Sequence, residues 1–255
     1  MPMSMPELER ALRTLRLSGM IATLDARALQ VANREMDFLE AVSWLVQDEL
    51  DRRRSRLLER RYALSGLPAR TDLTSFDWSY NPRLPKRAIL ELATLHFLAA
   101  HENLLAIGPP GTGKSHIAKA LATSAVARGF RVLYREAHRL IDDITEARAL
   151  GTLRPLRAQL AGADLLVIDD LFLRKLPTQA GDELADVLMA RYERASTILT
   201  SNRPLDDWAR LLGDVVVVTP LLDRLMHHGH LLKFEGKSWR LKEAAARAAN
   251  QKGSG

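Results

Sequence analysis

Two hydrophobic rhythms divide the chain. Up to about residue 65, apolar positions return every three or four residues, the period of a helix with one buried face. Leu8, Leu12 and Leu15 form the first such stripe, within Glu7–Arg16. Ser18-Gly19 interrupts it, and it resumes through Met20, Ile21, Leu24 and Leu29. A second long helix is predicted from Asp37, an N-cap residue with Glu40 three positions on. Its stripe is Phe38, Val42, Leu45, Val46 and Leu50, and it ends near Ser65-Gly66, with Pro68 beyond. These helices predict a small all-helical N-terminal domain over residues 1–68. Pro68, Pro82 and Pro85 mark residues 69–86 as a linker, and its Phe76-Asp77-Trp78 either packs onto the next domain or leans near a bound base.

From residue 87 the rhythm changes to short, nearly continuous apolar runs alternating with helical stretches. Strands are predicted at 103–107, 131–134, 165–168, 197–200 and, from four consecutive valines, 215–218. Helices are predicted at 87–100, 116–128, 136–150, 179–194, 205–212 and 220–227. Strands without polar alternation are buried on both faces, so the fold class is α/β, a parallel sheet covered by helices on both sides. This domain is placed at 87–245, followed by a tail over 246–255 whose last five residues are expected to fray.

The junction between the first strand and its helix carries the chemistry. Gly108-Pro109-Pro110-Gly111-Thr112-Gly113-Lys114-Ser115 is a complete G-x-x-x-x-G-K-[ST] phosphate loop. Its glycines let several backbone N–H groups point at one anion, and the helix N-terminus adds partial positive charge there. Lys114 is suited to the β- and γ-phosphates and the Ser115 hydroxyl to Mg²⁺. The third strand ends in Asp169-Asp170: Asp169 is a candidate Mg²⁺ residue and Asp170 a candidate to polarise an attacking water. The fourth strand ends in Thr200-Ser201-Asn202, where Asn202 either orients that water or caps a turn before Pro204. Arg224, in Leu222-Asp223-Arg224-Leu225, either reaches the γ-phosphate of a neighbouring subunit or pairs with an acid of its own chain. Arg240, in Gly236-Lys237-Ser238-Trp239-Arg240, is a candidate contact to the nucleotide or to a DNA phosphate. His227, His228 and His230 have no cysteine or paired carboxylate near them in sequence, so a zinc site is not expected.

Charge adds a partner to this picture. The net charge is +6, a bias that favours a polyanion such as nucleic acid. Six Lys/Arg against two Glu over residues 226–255 make that end a candidate DNA-contacting edge. The six arginines between Arg52 and Arg61 are open to two readings, a DNA-facing helix or a solvated face paired with Glu49, Asp51 and Glu59. No cysteine is present, which excludes disulfides and thiolate metal sites. No apolar run has the length of a membrane span and no signal pattern opens the sequence, so a cytoplasmic protein is expected.

With these segments assembled, the chain resembles the IstB-like transposition helper ATPases, relatives of the DnaC helicase loaders in the AAA+ superfamily. The resemblance rests on Phe76-Asp77-Trp78, Glu102-Asn103-Leu104-Leu105, Lys114-Ser115-His116, Leu166-Val167-Ile168-Asp169-Asp170, Arg191-Tyr192-Glu193-Arg194, Thr200-Ser201-Asn202-Arg203-Pro204, Leu222–His228 and Gly236–Arg240. It implies an AAA+ ATPase domain that binds ATP with Mg²⁺ through residues 108–116, with Asp169 on the metal, Asn202 as first sensor, Arg224 as a finger acting in trans and Arg240 as a further nucleotide contact. It implies sequence-independent DNA binding, a cognate transposase, and a homo-oligomer with ATP between subunits. Asp170 departs from the glutamate usual in AAA+ proteins, and slow hydrolysis is expected from a carboxylate one methylene shorter. A DnaC-like helicase loader, a small-molecule P-loop kinase and a non-hydrolysing ATP-gated scaffold on DNA are the competing readings.

Overall fold

A computed structural model of the chain describes residues 2–173, 176–212 and 215–252. The chain divides into two compact units, Met1–Arg60 and Arg61–Gly255. The first is helical: α1 Met5–Thr14, α2 Ser18–Ala32 and most of α3 Phe38–Ser65. Ser4 and Glu7 form a capping box at the start of α1. Gly19 of α2 lies against α3, where a Cβ would meet Cα of Glu49 at 2.6 Å, and the Gly19 N–H donates to the Glu49 carboxylate. Arg53 pairs with Glu49 at 2.6 Å and Arg54 with Asp51 at 3.6 Å, so these arginines have acidic partners within their own helix. Leu24 and Ala41 are the buried apolar side chains described in this unit, while Phe38, Leu39, Val42, Val46 and Leu50 remain exposed along α3.

The second unit is a five-stranded sheet in the order β2-β3-β4-β1-β5, every pair parallel. Its strands are β1 Asn103–Ile107, β2 Val132–Glu136, β3 Leu165–Leu171, β4 Ser196–Ser201 and β5 Gly229–Lys233. Between and around them run α4 Lys86–Leu92, α5 His96–Ala99, α6 Lys114–Ala127, α7 Ala137–Ala149, α8 Leu153–Gly162, α9 Thr178–Arg191, α10 Leu205–Leu212, α11 Val215–His227 and α12 Trp239–Lys252. Leu104, Leu105, Leu165, Leu166, Val167, Ile168 and Ile198 are all at most 1% exposed, as strands covered on both faces require. Among the described residues no helix is long and apolar enough to cross a membrane.

Four departures from the sequence expectations have physical causes. Val215–Val218 is helical backbone at the start of α11, whose Leu221 and Leu225 are buried one turn apart; helix packing overrides the β preference of valine. The place beside β1 is taken instead by β5, an edge strand with too few apolar residues to announce itself. The helix expected at 87–100 is two, because Leu95 is left-handed (φ 65°) and 3% exposed. Finally, α12 is regular helix through Lys252 where a tail was expected, and residues 253–255 lie outside the described ones.

Candidate functional site

The carboxyl ends of β1, β3 and β4 deliver their polar residues to one place, as a parallel sheet must. Asp169 and Asp170 are consecutive, and a regular strand would send them to opposite faces. The register of β3 against β4 shifts between Ile168 and Leu171, and Asp170 adopts φ 57°. This irregularity turns Asp170 into the cavity and leaves Asp169 buried, 2% exposed, beneath it. Thr200 joins the two: its hydroxyl donates to Oδ1 of Asp169 while its Oγ1 accepts the Asp170 N–H at 2.8 Å. The Tyr134 hydroxyl donates to Oδ2 of Asp169 at 2.7 Å. Burial and the adjoining Asp169 charge push the Tyr134 phenol up, so it stays a donor.

The phosphate loop is fitted on two sides. A Cβ on Gly108 (φ 151°) would lie 2.0 Å from the Phe234 carbonyl oxygen, and one on Gly111 (φ 77°) 2.0 Å from Oγ of Ser238. Both positions therefore demand glycine for space as well as for backbone conformation. The Trp239 N–H donates to the Gly111 carbonyl at 2.9 Å, which ties the start of α12 to the loop. On the other side, Phe76 lies 5.3 Å from the His116 ring, and His116 Nε2 is 3.1 Å from the Asp72 carbonyl. Lys114 is 4% exposed and donates to the Gly108 and Pro109 carbonyls, both at 2.7 Å. Burial lowers its pKa, opposed by Asp170 and Asp169 and assisted by Arg240.

These groups surround a cavity of about 540 Å³. Pro110, Gly111, Thr112, Gly113, Lys114, Ser115 and His116 form its floor, and Asp170 and Asn202 one wall. Arg240 faces them from α12, with Trp239 and Glu243. Burial and the Asp169 charge raise the Asp170 pKa, against the cations Arg240, Lys114 and Lys119. The Asn202 Oδ1 atom is buried and accepts no hydrogen bond. A carbonyl oxygen so placed fits a ligand or its water. With two carboxylates and a serine hydroxyl at the loop, the donor set also suits a hard divalent cation: Ser115 and Asp169 would hold Mg²⁺.

The segment expected to be a linker is part of the cavity. Ser75, Phe76, Asp77, Tyr80 and Asn81 line it. Asn81 donates to the Lys237 carbonyl at 3.0 Å and accepts the Lys237 N–H at 2.9 Å, and the Tyr80 hydroxyl donates to the Ser238 carbonyl at 3.0 Å. These bonds tie the segment to the start of α12, and Phe76 and Asp77, read from the sequence as packing onto the next domain or leaning near a bound base, line the cavity with Trp239 and Arg240. Lys242, in the candidate DNA edge, stacks 4.2 Å from the Trp239 ring and lies 3.8 Å from Asp77.

Arg224 stands elsewhere. It does not line the cavity; its side chain is exposed, with Nη1 3.1 Å from Sδ of Met189 and the guanidinium 5.7 Å over the Tyr192 ring. Nearby, the fold supplies what the sequence lacked: Glu193, His227 and His228 bring ligand atoms within 4.8 Å of one another, while His230 bonds Glu102 at 2.8 Å. All three residues of that trio are exposed.

A family model described as the IstB-like ATP binding protein matches residues 10–247. The chain belongs to the IstB-like family. It is 36% identical over 239 residues to the IS21 insertion-sequence protein of Pseudomonas aeruginosa, named for ATP binding, covering 94% of this chain and 90% of that one. Its identity to the corresponding IS5376 protein of Geobacillus stearothermophilus is 33%, covering 93% and 95%. Among solved structures, AMPPCP-bound DnaA from Aquifex aeolicus superposes with a TM-score of 0.56 at 24% identity, over 67% of this chain and 51% of that one. The DnaC helicase loader gives a TM-score of 0.51 at 21% identity, over 62% and 98%. These likenesses show the fold of this IstB-like chain, a parallel sheet with a phosphate loop after its first strand.

Proposed function

We propose that this IstB-like chain is a DNA-binding ATPase that assists the transposase of its insertion sequence, assembling on DNA with ATP and dispersing when ATP is hydrolysed. The observation that carries the reading is the convergence of loop, Asp170, orphaned Asn202 Oδ1 and Arg240 on one cavity. Insertion-sequence relatives supply the transposition context, and the excess of basic residues suits DNA.

The chemistry follows from the groups present. Lys114 exchanges its two carbonyl acceptors for the β- and γ-phosphate oxygens, a charge-assisted bond replacing neutral ones. The N-terminus of α6 and the loop N–H groups hold the same anion. Ser115 and Asp169 would hold Mg²⁺, which would supply charge neutralisation at the phosphates. Asp170 accepts the proton of the attacking water, and Asn202 Oδ1 orients that water. Arg240 contacts the nucleotide from its own chain. Arg224, remote from its own cavity, reaches the γ-phosphate bound by a neighbouring subunit and completes the site there.

Electron microscopy and phosphate-release measurements on the purified chain with duplex DNA test this together. ATP is expected to drive assembly on DNA and to be turned over slowly, with ADP supporting neither. Lys114→Ala is expected to lose ATP binding and assembly. Assembly that persists unchanged in Lys114→Ala, or ATP turnover driven by a small hydroxyl compound and indifferent to DNA, overturns the proposal.

A further inference from the structure

Asp169 has three partners of two different kinds. Tyr134, from β2, and Thr200, from β4, are neutral donors anchored in the strands that flank β3. Register explains the reach of Tyr134: it lies opposite Val167, and Asp169 is two positions further along the same face of β3. The third partner is a cation. Lys119, five residues beyond Lys114 on α6, places its ammonium 3.6 Å from Oδ2 of Asp169 and 5.3 Å over the Tyr134 ring. Its side chain is 24% exposed, against 3% for Asp169. The rigid donors therefore fix where the carboxylate points, and the lysine, on a flexible and partly exposed stem, supplies a charge that can leave.

The carboxylate oxygen that Lys119 and Tyr134 share belongs to the residue assigned above to the magnesium ion. We propose that Lys119 is a built-in counter-ion that competes with the divalent cation for Asp169, and that Tyr134 is a positioning residue holding Oδ2 where either cation can use it. The pair sets how much Mg²⁺ the site needs before it binds nucleotide tightly. Lys119 keeps the buried carboxylate neutralised when the cavity holds no metal, and swings toward solvent when a divalent ion takes its place. This inference rests on the nucleotide site proposed above.

The two residues have opposite predicted effects, which makes the test specific. Binding of a fluorescent ATP analogue to the full chain is followed while Mg²⁺ is titrated, a readout that needs no turnover. Binding of Mn²⁺ alone is followed by electron paramagnetic resonance. Lys119→Met is expected to lower the half-saturating Mg²⁺ concentration about 10-fold, because one competing charge is gone. Lys119→Arg keeps the charge and is expected to stay within about twofold of the wild type on the same argument. Tyr134→Phe is expected to raise it about 10-fold, the usual cost of an outer partner to a metal carboxylate. Lys119→Gln is measured beside Lys119→Met, and melting curves establish that each variant is folded. Unchanged half-saturation in folded Lys119 and Tyr134 variants, or a shift of both in the same direction, overturns the inference. A wild-type chain that binds no nucleotide at any Mg²⁺ concentration overturns instead the site reading beneath it.

Discussion

Arg191 and Arg224 both sit in stretches that mark the family, and the fold uses them in opposite ways. Arg191 is 1% exposed at the end of α9. Its guanidinium serves the carbonyls of Leu160, Ala161 and Ala163 at the end of α8, the carbonyl of Ser196, and Oγ1 of Thr197. It closes a helix terminus that would otherwise leave buried acceptors without donors. Burial lowers its pKa to about 10, which still leaves it charged at neutral pH. Arg224, on α11, has a thioether and an aromatic ring for company and faces solvent. One arginine is built into the scaffold and the other stands at the surface, where the function proposed above needs it. Membership of a motif does not separate the two; the number of acceptors around each guanidinium does.

The sharpest way to break this contrast is Arg224→Ala. On the proposed reading it lowers ATP turnover of the DNA-bound assembly by about 10³-fold and changes folding stability by less than about 0.5 kcal/mol. Phosphate release and a denaturant melt on one preparation check both halves, and a stability loss as large as that of Arg191→Ala erases the distinction. Arg191→Ala is expected to cost about 3–5 kcal/mol and to lower the melting midpoint by about 10 °C. Arg191→Lys does not restore it, since a point charge cannot serve five acceptors spread over two elements. Calorimetry of the two variants decides this.

Asp170 sharpens the contrast from the site itself. Asp170→Asn is expected to keep ATP binding and to lower turnover about 10²-fold, measured as phosphate release at saturating ATP. Its folded pKa is raised by burial and by Asp169, so the ionised form is penalised in the native state. That penalty is present above the folded pKa and fades as the pH falls through it toward the usual aspartate value. The asparagine variant should therefore melt about 1–2 °C higher at neutral pH, a small gain because Asp170 is only half-buried. The gain should vanish in acid. For the same reason wild-type turnover should fall away at a pH above that expected of an ordinary aspartate, a shift that a pH–rate profile reads directly.

How much was legible beforehand depended on how local each signal was. The phosphate loop, Asp169, Asp170 and Asn202 lie at the ends of strands whose apolar runs are unmistakable; the structure brings residues 110–116, Asp170 and Asn202 to one cavity with Arg240, while Gly108, Pro109 and the buried Asp169 do not line it. Tyr134 and Lys119 were passed over because their value lies in register: β2 must pair with β3, and α6 must lie over both, before either reaches Asp169. Thr200 was visible as part of the polar end of its strand, but its bonds to Asp169 and Asp170 depend on the pairing of β3 with β4. Val215–Val218 misled because four β-branched residues outweigh context in any local reading, whereas β5 was silent because an edge strand carries half its residues to water. The segment 69–86 read as a spacer from its prolines, yet Tyr80 and Asn81 hold the backbone at Lys237 and Ser238.

The late arrival of β5 has a consequence for synthesis. Asn103, at the start of the strand that leads into the phosphate loop, finds its partner on that side in Gly229, and the wall over Gly111 comes from Ser238 and Trp239. While a ribosome is still making the chain, β1 has an open flank and the loop has no roof. Every nascent chain must therefore wait until its distant C-terminal segment has emerged before it can close a nucleotide site. A message truncated ahead of residue 229 yields a chain with the whole phosphate-loop motif and an unpaired strand edge beside it, a species prone to aggregate.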